Sequence, residues 1–343
     1  MATLKEIAKI AGVNVSTVSK ALNGHNDINE ETKGRIIKIT QQMNYFNKKS
    51  NVQNQANGNY MIGVICPEID SNFYAQIVTK IEEKVMDKGY SLVIGLSQFN
   101  PEKESNYLRL LLNKGVDGVV LITSTNQSIA DIMSEIKKDF NIPIIVITVN
   151  QMVDCYDSIK IDDHIGVTMA INHLIQLGHK KIGYVGDRLS MHRLDSFREA
   201  LDKSNARIEE KWIRIGTERF EEGGYLRMKE ILKSKELPTA ILASYDDIAI
   251  GAMRAIHEKG MRIPQDISIV GVDNIGTARY LNPNLTTVSE PVNEMGDIAC
   301  SILFNKIENK AYTTIQSVVL KPELIIREST ACIEGSVNLE VYA

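Results

Sequence analysis

The chain has 343 residues, of which 43% are hydrophobic and 24% charged, and its formal net charge is −4. This composition is typical of a folded, water-soluble protein with two or three domains, and no apolar run is long enough to span a membrane. The N-terminus lacks the apolar segment of a signal peptide, so a cytoplasmic location is expected. The four cysteines lack the spacing of metal ligands and are expected to be reduced thiols. We predict no metal site and no cofactor.

The charge is unevenly distributed along the chain. Residues 1–60 contain eight lysines and arginines and four acidic residues, so this segment carries +4 and the remainder carries −8. A basic N-terminal segment joined to an acidic remainder is the pattern expected when only that segment contacts phosphates. The distribution therefore favours nucleic-acid binding by the N-terminal segment, although the total charge does not.

Two short helices are predicted at the N-terminus. Residues 4–11 and 15–22 each place apolar side chains on one helix face, and Gly12 separates the two segments. Helices joined by so short a turn form a helix-turn-helix, whose second helix fits the DNA major groove, although an ordinary helical hairpin shows the same periodicity. The outer face of the second helix carries small polar and basic side chains: Ser16, Thr17, Ser19 and Lys20.

From residue 60 onward, strands and helices alternate. Short apolar runs rich in β-branched residues predict strands at 61–66, 90–96, 117–122 and 143–148, and a second set at 181–186, 239–244 and 266–272. Helices are predicted near 73–89, 102–114, 128–139, 165–178, 191–204, 223–234 and 246–259. This alternation predicts parallel, doubly wound α/β sheets, and the two tandem sets predict two subdomains.

Several residue strings resemble the lactose-repressor (LacI/GalR) family of bacterial transcription regulators. They include VSTVSKALNG at 15–24, INEETKGRIIKITQQMNY at 28–45, IGVICPEIDSNFYAQIV at 62–78 and GMRIPQDISIVGVDN at 260–274. The resemblance covers nearly the whole chain. It implies a three-helix DNA-binding headpiece with a helix-turn-helix, followed by a periplasmic-binding-protein-like core with a ligand cleft between two α/β subdomains.

The resemblance also implies a domain division. The headpiece covers residues 1–45, the linker 46–60 and the effector-binding and dimerisation core 61–343; the N-subdomain spans about 61–160 and 290–318, and the C-subdomain about 161–289 and 319–330. Within the linker, Asn47 and Asn54 stand where the family has the proline and the leucine of a hinge helix, so no leucine wedge into the minor groove is expected. The tail after Arg327 lacks leucine heptads, which favours a homodimer over a tetramer.

The family's DNA-contacting positions transfer to the headpiece residue by residue. Lys20 matches a base-reading position and can donate to guanine, while Val15 can contact a thymine methyl group. Helix capping by Thr17 and simple solvent exposure of Ser19 are the structural alternatives. The base-reading positions are Val15, Ser16 and Lys20, and the phosphate-contacting positions are Thr3, Thr17, Ser19, Asn23 and Thr32.

The family's effector positions transfer to the core. Aromatic faces stack on the apolar side of a sugar ring, and Arg193 and Asp273 are suited to holding its hydroxyl groups. The implied effector is therefore a small hydroxylated molecule, a sugar or a sugar derivative. An ion pair between Glu290 and Arg193, and core packing of Phe73 and Phe220, are the structural alternatives. The effector positions are Phe73, Tyr74, Thr148, Arg193, Phe220, Tyr245, Asp273 and Glu290.

The expected function is repression of a carbohydrate-utilisation operon through double-stranded operator DNA, gated by the small effector. A catabolite-control-type regulator that responds to a phosphorylated carrier protein is the alternative. A solute-binding protein for transport is disfavoured by the headpiece and the missing signal peptide. An enzyme is not predicted, because Ser190, His192 and Asp195 lie too close along one helix start to form a catalytic triad, and no metal set is present.

Overall fold

The computed structural model describes residues 4–22, 28–29, 32–36, 39, 59–123, 142–148, 155–204 and 206–333. Thr3, Asn23, the predicted helix at 128–139 and all but the last two residues of the predicted linker lie outside these ranges. No helix within the described residues is both long and apolar enough to cross a membrane.

The N-terminal helices pack around a small apolar core. Helix α1 (Leu4–Ala11) and helix α2 (Val15–Leu22) are joined by a turn in which Gly12 has a φ of +64°, a left-handed conformation that favours glycine. Residues 32–36 are also helical. The core contains Ile7 and Val18 from the first two helices and Ile36 from the third segment, and all three side chains are fully buried. This packing confirms the predicted helix-turn-helix.

The rest of the described chain consists of alternating strands and helices. The strands are β1 (Met61–Cys66), β2 (Ser91–Leu96), β3 (Gly118–Thr123), β4 (Ile144–Thr148), β5 (Asp157–Ile161), β6 (Ile182–Asp187), β7 (Ile213–Gly216), β8 (Ala240–Ala243), β9 (Ser268–Val272), β10 (Thr286–Ser289), β11 (Ser317–Leu320) and β12 (Glu323–Ile325). The helices are α3 (Asn72–Asp87), α4 (Pro101–Lys114), α5 (Asp163–Gln176), α6 (Met191–Lys203), α7 (Phe220–Ile231), α8 (Asp246–Glu258) and α9 (Val292–Glu308).

The strands form two sheets. The first has the order β11-β5-β4-β3-β1-β2 and is parallel, and the second has the order β12-β10-β9-β8-β6-β7 and is parallel except for β12. Strands such as β3 and β4 are buried along their whole length because helices cover both faces of each sheet. The two-subdomain, doubly wound α/β fold class is confirmed.

The chain crosses between the two sheets three times. The crossings lie between β5 and α5, between β10 and α9, and between β11 and β12. Helix α9 follows a strand of the second sheet but packs against the first, where Met295 and Leu303 join the core formed with α3. In parallel α/β sheets, ligands bind at the carboxyl ends of the strands. The two sheets place these ends on either side of one cleft.

The predicted strands agree with the observed strands to within two residues at each end, but several elements were missed. The sequence patterns did not identify β5, β7, β10, β11, β12 or α9. Most of these strands are short, and β7, β11 and β12 are only partly buried. Their sequences therefore carry little of the apolar signal that marks a central strand.

Candidate functional site

A cavity of about 90 Å³ lies between the carboxyl ends of the two sheets. One side is lined mainly by aromatic residues that follow β1 and β2. The other side is lined by polar and charged residues that follow the strands of the second sheet. The lining residues are Ser71, Phe73, Tyr74 and Phe99 on the first side and Asp187, Leu189, Ser190, His192, Arg193, Arg219, Tyr245 and Asp273 on the second.

Arg193, in the first turn of α6, is the centre of the polar side. Its Nε donates to Asp163 Oδ1 at 2.9 Å, and its Nη2 donates to Glu290 Oε1 at 2.6 Å. Its Nη1 donates to the carbonyl oxygen of Ser244 at 2.7 Å and to Asp273 Oδ1 at 3.3 Å. Arg193 is only 8% exposed. One buried cation therefore links three carboxyl groups that are far apart in the sequence.

The pKa values of the three carboxyl groups are shifted in different ways. Burial raises the pKa of each, and the Arg193 guanidinium opposes this effect. At Asp163, the guanidinium and a hydrogen bond with His192 prevail and hold the pKa well below its usual range. At Asp273, burial prevails and raises the pKa to about 6. Burial also raises the pKa of Glu290 well above its usual range, and the Arg193 guanidinium opposes this shift.

Asp273 lies in a turn with unusual backbone geometry. Its φ is +102° and that of Asn274 is +51°, conformations that are costly for residues other than glycine. Asp246, at the start of α8, holds this turn by accepting hydrogen bonds from the backbone N of Ile275 and the hydroxyl of Thr287. Although Asp246 lies in the first turn of α8, its side chain is directed to the turn at Asp273. These hydrogen bonds hold the strained backbone conformation of Asp273, the residue that faces Arg193.

Tyr245 forms hydrogen bonds with two segments of the polar side, one at Asp187 and one at Phe220. Its hydroxyl donates to Asp187 Oδ2 at 2.6 Å and accepts from the backbone N of Phe220 at 3.1 Å. Asp187 is the last residue of β6, and its other oxygen accepts from the backbone N of Leu189 and Ser190. Tyr245 therefore occupies part of the cleft with a hydroxyl that is already engaged at both ends.

The opposite side consists of three packed aromatic rings. Phe73 and Tyr74 begin α3 and have ring centroids 5.1 Å apart, and the Tyr74 and Phe99 centroids are 6.0 Å apart. Both contacts have the edge-to-face geometry that aromatic pairs favour. Phe73 also belongs to the hydrophobic core of the first subdomain. It therefore both packs in the core and lines the cavity.

The structure brings together five of the eight predicted effector residues in the cavity lining: Phe73, Tyr74, Arg193, Tyr245 and Asp273. The other three lie elsewhere among the described residues. Glu290 forms the ion pair with Arg193 that the sequence analysis offered as an alternative. Thr148 is fully buried at the end of β4, and Phe220 packs against Tyr245 with centroids 6.1 Å apart.

Some lining residues were missed from the sequence. Phe99, Asp187 and Arg219 line the cavity, and Asp163 contacts Arg193 directly. The position of Asp187 at the carboxyl end of a predicted central strand was a usable signal, because ligands bind at such ends. Arg219 and Asp163 had no comparable signal, because the strands that precede them were not predicted.

The headpiece presents a separate polar surface. Val18 and Ala21 of α2 are buried, whereas Ser16 and Lys20 are exposed on the opposite side of the helix and Val15 is 40% exposed. Thr17, Ser19 and Thr32 are half-buried. The predicted base-reading residues therefore lie on the accessible side of the second helix.

Comparison with known proteins identifies the family. The model for bacterial regulatory proteins of the lacI family matches residues 3–47, and a periplasmic binding protein-like domain matches residues 171–330. The HTH-type transcriptional repressor PurR of Actinobacillus pleuropneumoniae serotype 3 (strain JL03) is 35% identical over 337 residues, covering 96% of this chain and 98% of that protein. This chain belongs to the lacI family.

Solved structures agree with this assignment. A LacI family regulator from Enterococcus faecalis V583 with bound ribose is 31% identical, has a TM-score of 0.67 and covers 80% of this chain and 100% of its own. The lac repressor dimer bound to operator and the anti-inducer ONPF has a TM-score of 0.73 and covers 96% of this chain and 99% of its own; at 24% identity it shows the shared fold. The present chain is a DNA-binding transcriptional repressor and not an enzyme.

The opposite pKa shifts of Asp163 and Glu290 lead to a test with two amide substitutions. Glu290→Gln should cost less free energy of unfolding at pH 7 than Asp163→Asn, because burial disfavours the ionised form of Glu290 and glutamine keeps an oxygen that can accept from Arg193. Asp163→Asn should cost about 2–4 kcal/mol, because it removes an ionised partner from a buried cation. Urea unfolding of both variants would measure the difference.

The cost of Asp163→Asn should also depend on pH. The pKa of Asp163 is lower in the folded protein than the ordinary 3.8, so its stabilisation is complete above that pH and is lost as the pH falls further. Equal costs for the two variants at pH 7 would contradict the opposite directions of the two pKa shifts.

Proposed function

We propose that this chain represses a carbohydrate-utilisation operon and that a small hydroxylated ligand, bound between the two subdomains, controls its operator affinity. The observation that carries the proposal is the buried Arg193 guanidinium facing a wall of aromatic rings across the cavity. The proposal includes a headpiece at 1–45, a linker at 46–60, a core at 61–343 and assembly as a homodimer.

The chemistry of the two cavity walls favours a sugar. A sugar ring has an apolar C–H face, which suits Phe73, Tyr74 and Phe99, and a rim of hydroxyl groups, which suits Arg193 and Asp273. The cavity is small, at about 90 Å³, which favours a monosaccharide over a disaccharide. The ribose bound to the Enterococcus faecalis relative is consistent with this size.

The weakest contact of Arg193 indicates how the ligand engages the site. The Nη1–Asp273 distance of 3.3 Å is the longest of the four hydrogen bonds, whereas the others span 2.6–2.9 Å. A ligand hydroxyl placed between these groups would donate to Asp273 and accept from Arg193. Such a bridge would attach the ligand to the second subdomain. The aromatic wall, which would contact the apolar face of the ligand, belongs to the first subdomain.

DNA recognition is proposed for the exposed side of α2. Lys20, Ser16 and Val15 would face base edges in the major groove, and Thr3, Thr17, Ser19, Asn23 and Thr32 would contact phosphates. Lysine is a single-point donor without the fork of arginine, so discrimination at its base pair should be moderate. The effector and the operator would be coupled because both depend on how the two subdomains are arranged.

A ligand screen tests the effector part of the proposal. In a thermal-shift assay of the full chain against monosaccharides, disaccharides, sugar acids and sugar phosphates, a ligand at about 100 times its Kd should stabilise the protein by roughly 2.7 kcal/mol. Arg193→Ala should abolish this shift. Arg207→Ala, which removes a guanidinium from an 83% exposed side chain, should leave the shift unchanged and serves as the control.

The screen also separates the two regulatory hypotheses. If no member of the panel stabilises the protein, the small-ligand proposal fails for these classes. The phosphorylated carrier protein then becomes the effector to test, with binding to the phosphorylated and the unphosphorylated carrier as the comparison.

A substitution in α2 tests the DNA part of the proposal. Lys20→Ala should weaken binding to an operator selected from a random library by roughly 1–3 kcal/mol, and it should relax sequence preference at one position of each half-site. Lys9→Ala, which removes an exposed lysine of α1, is the matched control and should leave the preference unchanged. An unaltered preference in the Lys20 variant would show that the orientation of α2 in the groove is wrong.

A further inference from the structure

An ion pair joins the two subdomains at the effector cavity. Glu68 follows β1 in the first sheet, and Arg219 follows β7 in the second. Both terminal nitrogens of Arg219 donate to the two carboxylate oxygens of Glu68, with Nη2 2.7 Å from Oε1. This two-point geometry is the strong form of an arginine–carboxylate pair. Because the partners belong to different subdomains, the pair spans the cleft.

The surroundings of Arg219 reinforce the pairing. Its guanidinium carbon lies 5.4 Å from the ring centroid of Phe99, in the first subdomain, and 4.5 Å from that of Phe220, in the second. Both distances are within the range of a cation–π contact. The side chains of Arg219 and Glu68 are 26% and 12% exposed, so solvent screens the pair less than it screens a surface pair. The closed geometry therefore has charge, hydrogen-bond and aromatic contributions.

The loop that carries Arg219 is anchored within its own subdomain. Arg227 of α7 is 3% exposed and donates to Glu218 at 2.9 Å. Its guanidinium packs against Gly216 and Gly223 so closely that a Cβ atom at Gly216 would lie 1.9 Å from Arg227 Nη2. The loop thus wraps around a buried guanidinium, and Arg219 is presented from a fixed position rather than from a free surface loop.

The segment that carries Glu68 is also anchored. The carbonyl oxygen of Pro67 accepts from the backbone N of Gln98 at 2.8 Å, and that of Cys66 accepts from Ser97 at the same distance. The two sides of the pair are therefore held by independent supports in separate subdomains. Opening the cleft would break the ion pair without requiring either support to change.

We propose that Arg219 and Glu68 form a latch that holds the two subdomains closed in the ligand-free chain. An effector then binds to a protein that already favours closure, and it acts by shifting that equilibrium further. The latch is an element of this chain's own residues, and its existence does not depend on the identity of the effector. It also places Arg219 in the cavity lining, where a bound ligand and the latch are in direct contact.

Distance measurements between spin labels test the latch. The full chain would carry nitroxides at Glu102→Cys in α4 and Glu222→Cys in α7, two exposed positions in different subdomains, in a background where the exposed Cys155 and Cys332 are replaced by serine. Dilution with unlabelled chain removes signals between protomers. Electron–electron resonance without any ligand then reports the proportions of closed and open cleft.

The variants Glu68→Gln and Arg219→Gln should each lower the closed-to-open ratio by about fivefold or more, and the double variant should add little, because both changes remove the same interaction. The control is Glu308→Gln, which removes a 2.9 Å pair with Lys88 within the first subdomain and should leave the distances unchanged. Unchanged distances in both single variants, additive effects in the double variant, or an equal change in the control would each overturn the latch.

Discussion

The buried guanidinium of Arg193 is the interaction on which the cleft depends. Two of its partners stand at the crossings between the sheets: Asp163 follows the crossing after β5, and Glu290 precedes the crossing into α9. A buried cation without these partners would carry a large desolvation cost, so the crossings are constrained to positions that satisfy it. The same residue that would bind the ligand therefore also fixes two of the segments that connect the subdomains.

This arrangement explains why the site tolerates so many acidic groups. Three carboxyl groups around one cation would leave a net negative charge in a region with little water. The structure reduces the cost of this charge because the Arg193 guanidinium donates to all three carboxyl groups and His192 provides a second nitrogen partner for Asp163. The ionised Asp273 is held by a strained turn at the edge of the cluster, where a ligand can reach it. Strain at a position of this kind is typical of a ligand-binding site.

The fold was largely predictable because its central strands are buried on both faces. Runs such as residues 118–122 and 144–147 are apolar throughout, and this pattern distinguishes them from the surrounding helices. The strand at 157–161 has the sequence DSIKI, in which Asp157 pairs with Lys306 at 2.8 Å. Because a partner distant in sequence satisfies Asp157, this strand can contain polar residues, and its local sequence does not show the apolar pattern of a central strand. The short edge strands were missed because they are only partly buried and so short that each contains few apolar residues.

The site was predictable only in part, because some of its contacts join residues that are far apart in the sequence. Arg193 and Asp273 could be placed because they match family positions, and Asp187 could have been placed from its position at a strand end. The pair of Arg219 with Glu68 could not, because its members are 151 residues apart and belong to different subdomains. The resemblance implied an effector role for Glu290, whereas in the structure Glu290 lies outside the cavity lining and accepts a hydrogen bond from Arg193 at 2.6 Å.

The central claim is that occupancy of the Arg193 cavity controls DNA binding, and fluorescence anisotropy tests it most directly. An operator selected from a random library would be titrated at fixed salt with the wild-type chain, with and without a saturating cavity ligand, and with Arg193→Ala under the same conditions. The account predicts that the ligand changes the operator Kd of the wild type by about 5- to 150-fold and leaves that of the variant unchanged. A ligand that binds the cavity of the wild type without altering its operator Kd would contradict the account.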